Sequence, residues 1–199
     1  MRLGTFPARV IVMANKNATA ITGAAGAYFV VAELSQLGWA ASPTWGNAPR
    51  TDVLAQKTDG SRIAAIQVKT RLSGSFQIGE KAEAPSTVDD EWFVLVALNG
   101  AGVRPDFYVL PRNHITALVY YGYRAWLARP GRNGRKHRET SMRAIKIDEV
   151  ASYKERWDLL DAATGEAAWM LPEWVWSEEK KHPPPASGFE LGCRDASAQ

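Results

Sequence analysis

Cysteine is almost missing: Cys193 is the only one in 199 residues, so the chain can close no disulfide on itself and build no cysteine-based zinc site. A reducing, intracellular setting is the expectation. Histidine is nearly as scarce, and His114, His137 and His182 fall at spacings that match neither a metal-ligand pattern nor a Ser-His-Asp arrangement. No uninterrupted apolar run reaches the ~18 residues of a membrane span, and Val10–Met13 is too short for a secretory core. A cytoplasmic protein with no membrane partner is expected. Gly23 and Gly26 complete no P-loop or dinucleotide fingerprint, because no strand immediately precedes them, and there is no internal repeat.

What is present describes a folded chain. Apolar residues make up 46% and charged residues 23%, the balance of an ordinary globular protein. A net charge of +3 tolerates a polyanionic partner without requiring one. The distribution of charge is more telling than its sum. Arg129–Arg143 (RPGRNGRKHRETSMR) holds six arginines and lysines against one glutamate, a loop able to neutralise phosphates or simply to face water.

The stretch organising the rest is Arg50–Lys69. Asp59-Gly60 supplies the positive φ that a two-residue hairpin turn needs, so strands are expected on both sides. Centring the turn there pairs Thr58 with Ser61 and, stepping outward, sets Asp52 opposite Gln67. Strand alternation puts Gln67 and Lys69 on one face and Ile66, Val68 and Thr70 on the other. A carboxylate, an amide and an ammonium projecting together are costly to bury unless they satisfy one another or bind something. A solvent-facing hairpin with scattered polar residues is the alternative.

Around this hairpin, Met1–Asn17 is a lead-in segment. Thr22–Leu37 is helical, with Ala27, Val30, Val31, Leu34 and Leu37 at helical spacing, and Gly38 stops it. Gly26 and Glu33, two turns apart, share a flank where a small residue leaves room for a ligand. Trp39–Thr44 forms a strand, and Arg71–Asp90 reads as a mobile loop. Glu91–Leu98 is a nearly continuous apolar strand, covered on both faces, and Phe107–Leu110 is another. Asn113–Ala128 is helical. Ala144–Ile147 forms an edge strand, and Asp148 caps a helix running through Leu160. These elements imply a mixed central sheet flanked by helices, an α/β or α+β core over 18–160. A tryptophan-rich helical extension over 161–182 packs on that core, and a disordered tail fills 183–199.

The order of helix with Glu33, strand with Asp52, hairpin, and strand Gln67-Val68-Lys69 resembles the core of the PD-(D/E)xK nuclease superfamily. The likeness is to its Holliday-junction-resolvase-like and restriction-endonuclease-like members and covers roughly Gly23–Pro111. It implies a restriction-endonuclease-like α/β fold and divalent-metal-dependent, endonucleolytic hydrolysis of DNA, whether duplex, branched or damaged. It further implies that Asp52 is the principal ligand of a magnesium ion, with manganese as a substitute. Gln67 and the Val68 carbonyl would help hold the ion, and Glu33 would reach it directly or through water. Lys69 would position the attacking water or offset developing charge. Gly26, Arg50 and Arg71, with Arg132, Arg135, Lys136 and Arg138 of the basic loop, would contact nucleic acid. A homodimer is compatible with cutting both strands. Gln67 stands where the motif usually has glutamate, as in Mrr-like restriction enzymes, and the motif proline is displaced to Pro49. The competing expectation keeps the fold without catalysis: an inactive nucleic-acid-binding or regulatory module.

Overall fold

The computed structural model describes residues 16–44, 48–162, 170–187, 189 and 191. The lead-in before residue 16, the Trp45-Gly46-Asn47 turn, Trp169, Cys193 and nearly all of the expected tail beyond 187 lie outside the described residues. The helix α1 (Lys16–Gln36) comes first, then β1 (Trp39–Pro43), β2 (Val53–Lys57) and β3 (Ile63–Arg71). The short β4 (Phe76–Gln77) precedes β5 (Glu91–Ala97), β6 (Asp106–Pro111), α2 (Arg112–Ala128), β7 (Ala144–Ile145) and α3 (Glu173–Glu179).

A five-stranded mixed sheet runs in the order β1-β2-β3-β5-β6, and β4 pairs with β7 in a small separate ribbon. The hairpin forms with the expected register: Val53 faces Ile66, Ala55 faces Ala64, and Gly60 takes φ 76° in the turn. Parallel pairing of β3 with β5 aligns Gln67 with Phe93 and Thr70 with Val96, and antiparallel pairing carries Val96 on to Phe107 of β6. These registers divide the side chains between two faces. Val53, Ala55, Ile66, Val96 and Phe107 are buried on the α1 side, whereas Phe93, Leu95 and Leu110 are buried on the α2 side. Both faces of β5 are covered, which is why its sequence runs apolar without alternation.

By length and composition Ala18–Gln36 would reach across a bilayer, contrary to the sequence expectation, yet Val30 and Leu34 are fully buried as core residues of this domain. Gly26 explains how closely the helix sits. A Cβ there would lie 1.9 Å from Thr70 Oγ1, so the room expected for a ligand is filled by β3. Arg71–Asp90 is not a free loop either. Phe76 and Ala82 are buried, and Thr116 Oγ1 donates to the Ala82 carbonyl at 2.9 Å, fastening the segment to α2. The single helix expected from Asp148 to Leu160 is instead two tight helical turns, Asp148–Tyr153 and Trp157–Asp161, separated by Glu155 at φ 56°. Here the backbone serves β6 in place of a helix: the Glu155 N–H donates to the Phe107 carbonyl at 2.8 Å. Near the C-terminal end Leu191 is buried.

Candidate active site in the fork of two strands

The paired strands β2 and β3 separate at Asp52. Hydrogen-bonded pairing alternates along the hairpin from Lys57 and Arg62, and continuing it would match the Val68 N–H with the Thr51 carbonyl. Thr44 intervenes. Its Oγ1 donates to the Thr51 carbonyl at 2.7 Å and its N–H to the Asp52 carbonyl at 3.0 Å, drawing the chain toward β1. The Asp52 N–H drops back onto the Ile66 carbonyl at 2.8 Å, and its carboxylate replaces the lost acceptor: Oδ2 takes the Val68 N–H at 2.8 Å. One side chain thus holds the fork open.

The other groups at this opening follow from strand geometry. In an extended strand the N–H and C=O of one residue point toward the same neighbour, so the Val68 carbonyl faces the fork. None of the described residues donates to it. Asp52 Oδ1 also has no hydrogen bond among the described residues. Gln67 and Lys69 are half-buried on the α2 face, and Lys69 forms no ion pair with a described residue. Asp52 is tied to β3 through the Val68 N–H, and Gln67 and Lys69 flank Val68 along that strand with their side chains on the α2 face.

Glu33 is not brought to them. Its two oxygens accept from Nε and Nη2 of Arg104, both at 2.9 Å, and Arg104 also grips Glu155 at 3.0 and 2.8 Å. The Arg104 guanidinium lies 5.0 Å from the Phe107 ring, on the α1 face, while Gln67 and Lys69 occupy the opposite face. Burial alone would raise the Glu155 carboxyl, but bonds from Arg104 and the Phe107 N–H outweigh it and hold that group below the usual carboxylate range. Glu33 is instead half of a staple between α1 and the edge of the sheet.

A layer behind Gln67 was not anticipated. Arg112, 2% exposed at the start of α2, donates from Nη1 to Gln67 Oε1 at 3.4 Å and from Nε to the Ala84 carbonyl at 3.2 Å. Its guanidinium lies 5.3 Å from the Phe93 ring, and Glu91 is 3.6 Å from its Nε. Burial first, then the neighbouring Arg50, pushes Arg112 down to about 10 against the opposing pull of Glu91, so it stays charged at neutral pH. The sequence did hold a signal. An arginine in the first turn of a helix opposes the macrodipole and points to a partner outside the helix.

The proposed nucleic-acid contacts divide. Arg50, at φ 66°, is held by the Pro85 carbonyl at 2.6 Å and Glu91 at 2.9 Å, and Arg71 lies 5.1 Å from the Phe76 ring. Both are built into the wall of the domain. Gly26 is covered by Thr70. Arg135, Lys136 and Arg138 are exposed and form no ion pair among the described residues, and the side chain of Arg132 lies outside them. Their loop is anchored: His137 stacks on Trp126 at 3.9 Å, and the Thr140 N–H donates to the Tyr123 hydroxyl at 2.8 Å.

No family model matches this chain, and no curated protein matches it. Among solved structures it is similar to Hjc, a Holliday junction resolvase from the archaeal hyperthermophile Archaeoglobus fulgidus. The TM-score is 0.45 at 16% identity, over 70% of this chain and 95% of the resolvase. It is also similar to a bacterial homing endonuclease, with a TM-score of 0.43 at 16% identity, over 71% of this chain and 92% of that one.

Proposed function

We propose that the protein is an endonuclease that hydrolyses DNA phosphodiester bonds at the fork between β2 and β3. The observation supporting this reading is the Asp52 carboxylate bound to the Val68 N–H where the two strands part, with the Val68 carbonyl turned to the same opening and Lys69 the next residue along β3. A hard divalent cation suits this donor set. A carboxylate oxygen and a backbone carbonyl are both unsatisfied among the described residues, and magnesium takes oxygen ligands while keeping waters and substrate oxygens in its remaining positions. Asp52 and the Val68 carbonyl would hold it, and when bound it supplies a polarised phosphate and a more acidic water.

The rest of the mechanism belongs to the chain. Asp52 is fixed by the Val68 N–H, so its free oxygen has a defined direction. Lys69 places a full positive charge where negative charge grows on the phosphoryl oxygens as water adds to phosphorus and the bond to the leaving oxygen breaks. Gln67 lies beside it on the same face, seated by Arg112. The exposed cations of the basic loop, Arg135, Lys136 and Arg138, supply sequence-independent attraction for the phosphate backbone.

A second reading has its own observation. Glu33 accepts from Arg104, Glu91 accepts from Arg50, and among the described residues no group of three or more histidine, cysteine, aspartate or glutamate side chains could hold a metal. That favours a nucleic-acid-binding module without catalysis. Supercoiled, branched and single-stranded DNA incubated with magnesium or manganese separates the two. Cleavage abolished by Asp52→Ala and by Lys69→Ala is expected from the endonuclease. Salt-sensitive binding with no cleavage of any substrate selects the second reading, and cleavage unchanged in both variants rejects the site.

A further inference from the structure

The orientation of Gln67 follows from the chemistry of its neighbour. A guanidinium has only donors, so the atom of Gln67 that meets Arg112 must be the amide oxygen. Oε1 is the only acceptor in that side chain. Nε2, by contrast, makes no hydrogen bond to any described residue. Position 67 therefore turns its oxygen inward, to a buried arginine, and has its two N–H donors still to place.

Arg112 is itself held in one geometry. It is buried, rests on the Phe93 ring, and gives Nε to the Ala84 carbonyl, leaving Nη1 for Gln67. Glu91 stands farther off, its Oε2 3.6 Å from Arg112 Nε, and that oxygen accepts from Arg50 at 2.9 Å, Ser86 Oγ at 2.9 Å and the Thr87 N–H at 3.1 Å. Releasing the amide oxygen would leave a buried Nη1 donor without its acceptor, which is costly in a dry site.

We propose that Arg112 is the positioning residue of this site. By setting a fixed positive charge against the oxygen of Gln67 it disfavours a cation on that atom and turns the amide N–H donors of position 67 toward a phosphate oxygen, leaving Asp52 and the Val68 carbonyl as the cation ligands among the described residues of the fork. This rests on the nuclease reading of the fork. It also reverses the role that the motif resemblance implies for Gln67, from metal ligand to substrate contact.

Two measurements on the full chain test it, one without metal and one without DNA. In EDTA, the affinity for a short duplex is measured by fluorescence anisotropy for wild type, Gln67→Met, Arg112→Met and the double variant. In the absence of DNA, manganese is titrated calorimetrically into wild type and Gln67→Met. The proposal expects Gln67→Met to keep manganese affinity within about twofold while weakening the duplex about three- to tenfold, the worth of one hydrogen bond. Arg112→Met should weaken the duplex similarly, and the double variant should be no worse than either single one. Thermal melting reads any structural cost of Arg112→Met separately. If that variant does not fold, Gln67→Met alone decides. A loss of manganese affinity of about tenfold or more in Gln67→Met overturns the proposal by making its oxygen a ligand, as does an unchanged duplex affinity or strictly additive losses in the double variant. A wild-type protein that binds neither duplex nor manganese rejects the nuclease reading itself, a distinct result.

Discussion

Alanine at Gly26 should weaken the fold, although the same change normally strengthens a helix. Inside a helix, alanine exceeds glycine by about 1 kcal/mol. The added Cβ at position 26, however, would lie 1.9 Å from Thr70 Oγ1, 2.9 Å from Thr70 Cβ and 3.0 Å from its Cγ2. Rotating the threonine moves Oγ1 and Cγ2 but not Cβ, which its backbone places, so α1 or β3 must shift. Overpacking of this kind costs about 1–3 kcal/mol, and a contact that no rotamer clears belongs at the upper end. The net expectation is a loss of about 2 kcal/mol, or about 4–8 °C in melting temperature for a chain of this size. Gly23 is the internal control. It lies three residues earlier in the same helix with nothing within 4 Å of its added Cβ, so Gly23→Ala should gain up to about 1 kcal/mol. Urea denaturation followed by tryptophan fluorescence and circular dichroism measures both. The reasoning is refuted if Gly26→Ala is as stable as wild type or moves in the same direction as Gly23→Ala.

Three further outcomes are expected. His114 is buried with Nδ1 2.8 Å from the Tyr153 hydroxyl, and burial holds its imidazole down to about 3, so it stays neutral in the fold. The unfolded chain protonates it near ~6.5, so acidification favours unfolding, and stability should fall by about 2 kcal/mol between about pH 7 and about pH 5. Denaturant midpoints at the two pH values check this, and His114→Gln should flatten the slope. Because Glu33 serves Arg104, Glu33→Gln should leave DNA cleavage within about twofold of wild type, and Arg104→Ala should cost only about 0.5–1 kcal/mol, its guanidinium being half exposed. A hundredfold loss of cleavage in Glu33→Gln would return that residue to the site. Replacing Arg135, Lys136 and Arg138 together by alanine should flatten the log-log salt dependence of duplex binding by about 2–3, and an unchanged slope would remove the loop from the interface.

Much of the hairpin was readable from its residues. Asp59-Gly60 sets the turn and the turn sets the register, which the paired residues follow as far as Val53 and Ile66 before the strands part at Asp52. The unbroken apolar run of β5 announced burial on both sides. By contrast, 71–90 reads as a polar loop because its anchors, Phe76 and Ala82, bury themselves against partners far away in the chain. Glu33 looked available because Arg104, the residue whose guanidinium it accepts from, is remote in sequence.

Turn chemistry and side-chain period are local properties: they depend on a few adjacent residues, and the amino-acid order alone determined the hairpin and the face of β3 that carries an amide and an ammonium. Which of their atoms remain free was decided only by tertiary packing. Thr44 pulls the strands apart so that Asp52 must replace a backbone acceptor, and Arg112 arrives from α2 to meet the side-chain oxygen of Gln67. Hydrogen-bond capacity is finite, so the chemistry left at a site is set by every neighbour that reaches it, including those far away along the chain.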